Sequence, residues 1–177
     1  MAIATNDSRV YAALQFKNLQ DSMYIGLGKT SEWNNEEVPP TENPETSELL
    51  EPIGYKKVSK VQVCRELKPD EEPEYPTVKY GSKTFVLIPD EQAYREKAWN
   101  VYITGQIDGE ELPIGRFRQV GIYTGLKPKE NKKNLLPEEV TDKGILQAFA
   151  NRRSQRRDKN VDLYESYIIS FENKSIV

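Results

Sequence analysis

A β-strand is predicted by the stretch Phe117-Arg118-Gln119-Val120-Gly121-Ile122-Tyr123. Phe117 and Gln119 fall on one side of this strand, and Arg118 and Val120 fall on the other, which is the period of two that strands impose on side chains. Further stretches of the same apolar and β-branched character lie on both sides of it. They are residues 23–28, 58–66, 77–80, 84–88, 99–107, 144–151 and 164–171.

The N-terminal segment has a different pattern. Asn6-Asp7-Ser8 supplies side chains suited to a helix N-cap, and apolar residues follow at helical spacing, which predicts a helix over residues 8–19. A strand over residues 11–16 is the alternative. Short strands joined by turn-rich links predict a mainly β fold, an antiparallel β-sandwich with a short N-terminal helix and long proline-rich loops. The 177 residues fit one domain spanning 1–177.

The longest predicted loop covers residues 29–52. Pro39, Pro40, Pro44 and Pro52 prevent a continuous helix or strand there. A structureless run of this length inside a compact domain is usually functional or is held by a partner. We therefore expect an extended arm at 29–52.

Composition excludes several classes of function. The chain has no histidine and a single cysteine, Cys64, which removes the commonest general base, the commonest metal ligand and any internal disulfide. We therefore expect no enzyme activity and predict no catalytic, cofactor-binding or metal-binding residue. The net charge of −3 argues against nucleic-acid and membrane partners. The N-terminus does not resemble a signal peptide, which predicts synthesis in a cytoplasm, where the protein stays or joins a particle.

One short motif resembles a phosphate-binding loop. Gly26-Leu27-Gly28-Lys29-Thr30 matches the end of that pattern, but Met23 stands where the first glycine is required. Prolines rather than a helix follow, so the helix N-terminus that would bind the anion is missing. A strand running into a loop is the favoured interpretation, and no small-molecule substrate is expected.

A basic cluster, Asn151-Arg152-Arg153-Ser154-Gln155-Arg156-Arg157, admits three interpretations. The first interpretation is nucleic-acid binding, since arginines bind phosphates. Acidic residues flank this cluster, however, and no wider basic face is visible. A solvated loop is the second interpretation. A protein interface or an internal salt-bridge site is favoured, because the planar guanidinium group of arginine can donate several hydrogen bonds in either setting.

Two stretches in fixed order resemble a known family. The first stretch begins at residues 24–33 (Tyr-Ile-Gly-Leu-Gly-Lys-Thr-Ser-Glu-Trp) and continues into Pro39-Pro40. The second stretch covers residues 115–124, the Asn-Arg motif at 151–152 and the Ile-rich strand that ends at Phe171. Together they resemble the baseplate wedge proteins of contractile-tailed phages, in particular the gene-product-eight wedge subunit of T-even phages. This chain is shorter than that subunit, so the middle insertion of the larger protein is reduced here.

The resemblance implies a structural subunit of the tail baseplate wedge. Such a subunit links inner wedge proteins to peripheral arm or fibre proteins during tail assembly and baseplate rearrangement. The implied partners are other wedge proteins and a second copy of the chain, and the implied location is the virion. The residues that it implicates in partner contacts are Tyr24, Lys29, Trp33, Pro39, Pro40, Arg116, Arg118, Arg152, Arg153, Arg156 and Arg157. The alternative is a small tail-associated carbohydrate- or receptor-binding module, since ten tyrosines and two tryptophans could stack on sugars.

Overall fold

The computed structural model describes residues 2–172, of which 42% lie in strands and 12% in helices. The prediction of a mainly β, antiparallel fold with a short N-terminal helix is confirmed. The elements are α1 (Asn6–Lys17), β1 (Tyr24–Gly28), β2 (Gly54–Lys57), β3 (Lys60–Glu66), β4 (Thr77–Tyr80), β5 (Lys83–Leu87), β6 (Asn100–Ile107), β7 (Gly115–Thr124), β8 (Lys127–Pro128), β9 (Asn134–Leu135), β10 (Val140–Asp142), β11 (Ile145–Arg157) and β12 (Leu163–Ser170). Single 3₁₀ turns occur at Gln20–Ser22, Asp90–Gln92 and Pro137–Glu139.

Helix α1 begins slightly earlier than predicted. The Thr5 hydroxyl accepts a hydrogen bond from the Ser8 amide at 3.1 Å, so Thr5 is the N-cap. Val10, Ala13 and Phe16 form the buried side of the helix at spacings of three. The alternative of a strand in this segment is wrong, because the cap and the spacing both favour a helix.

The larger strands form two five-stranded sheets. Their strand orders are β11-β7-β1-β2-β9 and β12-β6-β3-β5-β4, and β8 pairs separately with β10. Strand β7, which contains the predicted stretch 117–123, lies between β1 and β11 and is antiparallel to both. Its residues are buried from Phe117 to Thr124 on both faces. Both faces of β7 are therefore covered by other parts of the protein.

The contacts divide the chain into two compact units. Unit 1 comprises residues 2–20, 59–104 and 165–172 of the described chain, and unit 2 comprises 21–58 and 105–164. The core cluster of unit 2 contains Tyr24, Leu49, Tyr55, Tyr123, Leu126 and Leu135. The core cluster of unit 1 contains Cys64, Phe85 and Leu87. The single domain over 1–177 stays a prediction.

Three segments differ from their predicted structure. Strand β2 follows the arm where no strand is predicted, and β8, β9 and β10 lie in the stretch 127–142, which is also outside the predicted strands. Strand β11 runs to Arg157 and so contains the whole basic cluster. It can do so because β11 is the last strand of its sheet, where charged side chains have access to solvent. No helix among residues 2–172 is long and apolar enough to cross a membrane.

Candidate partner-binding surface

The arm, residues 29–52, leaves β1 and returns to the same strand. The Lys29 amide donates to the Leu50 carbonyl at 2.6 Å, and the Ile53 amide donates to the Leu27 carbonyl at 2.8 Å. Both ends of the arm are therefore fixed side by side, as in a compact surface loop. Lys29 and Glu51 have positive φ angles of 58° and 43°. These are unusual for residues other than glycine, and they turn the chain sharply at the start and end of the arm.

The neck of the arm consists of Lys29, Thr30, Ser31 and Glu51. The Glu51 carboxylate accepts hydrogen bonds from the Ser31 hydroxyl at 2.7 Å, the Thr30 hydroxyl at 3.0 Å and the Ser31 amide at 3.3 Å. The Lys29 ammonium lies 3.3 Å from the same carboxylate. These contacts, the Ser31 hydroxyl above all, lower the pKa of Glu51 to about 2. A charged carboxylate therefore joins the two ends of the arm.

Arg118 of β7 binds the first half of the arm. Its Nε donates to the two carboxylate oxygens of Glu36 at 2.7 and 2.9 Å, and its Nη1 donates to the Thr30 carbonyl at 2.6 Å. The Arg118 side chain is only 2% exposed. The hydrogen-bonded pairing raises the pKa of Arg118 and lowers the pKa of Glu36. Since the arm covers this face of β7, Arg118 is an internal anchor for the arm.

The arm also covers part of the free edge of β11. The Trp33 indole N–H donates to the Arg152 carbonyl at 2.9 Å, and the Asn151 amide donates to the Glu42 carboxylate at 2.8 Å. The Asn151 side chain donates to the Pro40 carbonyl at 2.8 Å. The β7–β11 register shifts between Asn151 and Gln155, so the ladder is interrupted here. Groups of the arm thus satisfy backbone atoms that an edge strand would otherwise leave open.

The end of the arm packs on three glycines, Gly26 and Gly28 of β1 and Gly121 of β7, which together we call the seat. A Cβ added at Gly28 would lie 2.4 Å from the Leu50 carbonyl oxygen and 3.1 Å from the Leu49 Cβ. Added at Gly26 or Gly121, it would lie 3.2 Å from a Leu49 methyl group. Gly26 and Gly121 are also paired across the β1–β7 ladder. The absence of side chains lets Leu49, which is 3% exposed, pack directly on the sheet.

Two hydrogen bonds hold the same end of the arm. The Leu49 amide donates to the Tyr123 hydroxyl and the Leu50 amide donates to the Gln119 side-chain carbonyl, both at 2.8 Å. Burial raises the pKa of Tyr123 to about 12. The motif at residues 26–30 that resembles a phosphate-binding loop is therefore accounted for by the arm, since its glycines admit the returning chain and its lysine and threonine belong to the neck.

The eleven residues predicted to contact partners separate by exposure. Tyr24, Arg118 and Arg157 are buried, and Lys29, Trp33, Pro39 and Arg152 are half-buried. The exposed members are Pro40, Arg116, Arg153 and Arg156. Ten of the eleven lie in the arm or in the strands β7 and β11, and Tyr24 lies in β1. Their role in partner contacts stays a prediction.

The arginines of β11 have different surroundings. Arg157 donates to the carbonyls of Asp108 at 2.8 Å, Leu112 at 3.0 Å and Pro113 at 3.2 Å, and burial lowers its pKa. It therefore organises the loop between β6 and β7. Arg153 is instead an exposed residue whose Nη1 lies 3.2 Å from the Glu37 carboxylate. The basic cluster thus contains both an internal anchor and exposed cations.

Several residues that shape this surface have no motif in the sequence. Glu36, Glu51 and Glu42 are three of seven glutamates in an arm with a single lysine, and the sequence does not distinguish them from the others. Gln119 and Leu49 are equally inconspicuous. The glycine spacing at Gly26 and Gly28 is the one local signal that another backbone approaches the strand closely.

The outward side of the arm is acidic. Glu32, Glu37, Glu42, Glu45 and Glu48 are exposed, and Val38 beside them is 68% exposed. Such a surface can bind a basic partner by charge complementarity. No group of three or more Asp, Glu, Cys or His among residues 2–172 could hold a metal ion.

Comparison with known proteins gives two matches. Residues 1–171 match the model of a family described as "Baseplate wedge 3 tail fiber network component". The chain is 57% identical over 179 residues to "Virion protein 3" of Enterococcus phage phiEF24C, with 100% of this chain and 99% of that protein covered. The predicted resemblance to phage baseplate wedge proteins is confirmed, whereas the likeness to the T-even subunit stays a prediction.

Proposed function

The chain belongs to the family of baseplate wedge 3 tail fiber network components, and from this premise we propose that it links inner wedge proteins to the peripheral arm or fibre proteins of the tail. As a member of that family it is a structural protein of the virion's tail baseplate. The observation that carries the linking role is the arm, an acidic segment fixed to its own sheet with its charged side turned outward.

A fixed arm supports this role because it reduces the entropy lost on binding. An arm that becomes ordered only on contact must lose conformational freedom at that moment. Here the Leu49 seat, the Glu36–Arg118 pair and the neck at Glu51 order it beforehand. A preorganised acidic face can then dock on a basic neighbour without that loss.

A linking subunit needs a second surface, and the exposed arginines offer one. Arg116, Arg153 and Arg156 present positive charge near the end of β11, where Arg156 is paired with Arg116 across the ladder. The acidic face of the arm and this basic edge favour partners of opposite charge. They also allow a second copy of the chain to contact its neighbour. We propose that both surfaces keep their contacts as the baseplate changes state.

Reconstitution with the other wedge proteins of the same phage tests the proposal. The wild-type chain is expected to co-migrate with them in size-exclusion chromatography. The variant Glu45→Lys reverses the charge at an exposed position of the arm and is expected to weaken that complex while leaving the fold intact. Glu74→Lys makes the same charge change at an exposed position of unit 1 and is the matched control. A chain that binds none of the wedge proteins would refute the proposal.

The surroundings of the two tryptophans disfavour them as stacking surfaces in the alternative, a carbohydrate-binding module. Sugar stacking requires open aromatic faces. The Lys29 ammonium lies 5.0 Å from the Trp33 ring centre, and the Arg9 guanidinium lies 5.9 Å from the Trp99 ring centre. Each tryptophan thus has a cation over its ring, and the Trp33 N–H is bonded to Arg152. A glycan array remains the direct measurement for this alternative.

A further inference from the structure

Two arginines lie directly opposite each other where β7 begins and β11 ends. Arg116 of β7 is paired in register with Arg156 of β11, and both residues are exposed. Side chains at opposite positions of neighbouring strands lie on the same face of the sheet, and like charges there are destabilising. A carboxylate that binds both guanidinium groups would remove this repulsion.

Neither arginine is neutralised by a hydrogen-bonded carboxylate of its own chain. Arg116 donates through Nη1 to the Ser154 hydroxyl at 3.0 Å, and it forms no ion pair with any residue from 2 to 172. The Arg156 Nη2 lies 4.0 Å from an Asp158 carboxylate oxygen, which is too far for a hydrogen bond. Since a guanidinium group has five N–H donors, both side chains can still bind an anion.

The acidic arm lies beside this arginine pair on the same face of the sheet. Arg116 and Arg118 are two residues apart on β7, so their side chains leave the strand on one face. The arm covers that face at Arg118 through Glu36 and leaves Arg116 exposed. The hydrogen bonds from Arg118 lower the pKa of Glu36 most, and the charge of Arg116 adds to this lowering. Acidic and basic groups are therefore neighbours on one surface of unit 2.

The arm contributes a free carboxylate to this surface. Glu32 is exposed, and its side chain makes no hydrogen bond or ion pair within the described residues. Its charge acts on Arg118, so Glu32 also lies near the covered part of β7. The Glu36 carboxylate, by contrast, is already bound to Arg118. Glu32 is thus the group of this surface that can bind a cation from outside the chain.

We propose that this surface binds the same surface of a second copy of the chain, with Glu32 of each copy on the Arg116–Arg156 pair of the other. A two-fold axis brings identical surfaces together, and each charge meets its opposite when both signs occur side by side. This inference rests on the proposed function, because it assigns an occupant to part of the partner-binding surface. Glu45 of the arm is outside the contact and remains available to other wedge proteins.

Sedimentation velocity on the isolated chain tests the proposal. The wild-type chain is expected to form a dimer whose dissociation constant rises with salt, because exposed charges are screened. Glu32→Lys is expected to raise this constant at least about tenfold, since it places like charges opposite each other. The double variant Arg116→Glu with Arg156→Glu should have the same effect. It also keeps two like charges at these positions, so the repulsion across the strands is matched.

A mixture of the two variants gives the sharpest result. In the mixed dimer, the new lysine of one chain faces the new glutamates of the other, and the native Glu32 faces the native arginines. The mixture is therefore expected to dimerise about as tightly as the wild type, although neither variant does so alone. Recovery also shows that both variants are folded.

Charge changes elsewhere in unit 2 are the matched controls. Glu45→Lys makes the same change as Glu32→Lys at another exposed position of the arm, and Lys127→Glu with Lys129→Glu reverses two other exposed cations. Both controls should dimerise as the wild type does. Equal weakening in the controls would overturn the proposal, since the response would then reflect overall charge.

The remaining outcomes separate this proposal from the linking role. A wild-type chain that stays monomeric at about 0.1 mM and low salt, or a mixture that does so, would overturn the dimer. Dimers that neither variant weakens, or oligomers larger than two, would contradict this two-fold contact. A monomer that still co-migrates with wedge proteins overturns the dimer and leaves the linking role. A dimer that binds none of them refutes the linking role alone.

Discussion

Replacing Gly28 by alanine is expected to lift the end of the arm from its seat. The new Cβ would lie 2.4 Å from the Leu50 carbonyl oxygen, whereas carbon and oxygen atoms in contact normally stay about 3.3 Å or more apart. Either the strand or the arm must therefore move by about 1 Å. The Leu50 carbonyl also accepts the 2.6 Å hydrogen bond from the Lys29 amide that closes the arm.

The magnitude follows from two contributions. Forcing an extra methyl group into a well-packed site costs about 1–3 kcal/mol. Weakening the hydrogen bond between Lys29 and Leu50 adds about 1 kcal/mol. We therefore expect the free energy of closing the arm to change by about 2–4 kcal/mol, which corresponds to a thirtyfold or larger increase in the population of the open arm.

Amide hydrogen exchange measures this opening residue by residue. The amides of Lys29, Leu49 and Leu50 are each hydrogen-bonded when the arm is closed, so they should exchange at least about thirty times faster in Gly28→Ala. Gly81→Ala is the control. Gly81 has a φ of +60° and no atom within 4 Å, so alanine strains the turn by about 1–2 kcal/mol without affecting the arm. Unchanged exchange at the three amides in Gly28→Ala would refute the account of the seat.

Three further predictions concern other groups. The contacts of the neck lower the pKa of Glu51 from its ordinary value of about 4.5 to about 2. The charged Glu51 carboxylate therefore stabilises the neck fully at pH values above about 4.5, and this stabilisation is lost as the pH falls towards 2. Trp33 fluorescence should show this acid transition, and Glu51→Gln should remove it. Arg157→Met leaves three carbonyls of loop 108–114 without their donor. It should lower the free energy of unfolding by about 2–4 kcal/mol in urea titrations, whereas an unaltered value would contradict the anchoring role. Cys64 is fully buried, and burial raises the pKa of its thiol to about 12. Iodoacetamide should therefore label it only as the protein unfolds, and rapid labelling of the native chain would show that this burial is wrong.

Local patterns were sufficient to predict much of the fold. The stretches 117–123, 77–80 and 84–88 are rich in β-branched and apolar residues, and β7, β4 and β5 lie where these stretches predict strands. The prolines of residues 29–52 likewise predict the arm, because proline cannot continue a helix or a central strand. The short strands β8, β9 and β10 could not be predicted, since pairs of two or three residues carry no measurable period.

The surface itself depends on contacts between distant parts of the chain. Arg118 and Glu36 are 82 positions apart, and no local rule connects them. Arg118 shares its side of β7 with Val120, and Glu36 and Thr30 of the arm cover and bury its guanidinium group. The basic cluster is divided for the same reason, because loop 108–114 surrounds Arg157 while Arg153 and Arg156 remain exposed.

Cross-linking mass spectrometry on the intact phage tail tests the linking role most directly. We predict that residues of the arm, such as the exposed Glu45, cross-link to another wedge protein and that residues near Arg153 cross-link to a second neighbour or copy. Cross-links that connect the chain to the rest of the baseplate only through other surfaces, with the arm unmodified, would contradict the account.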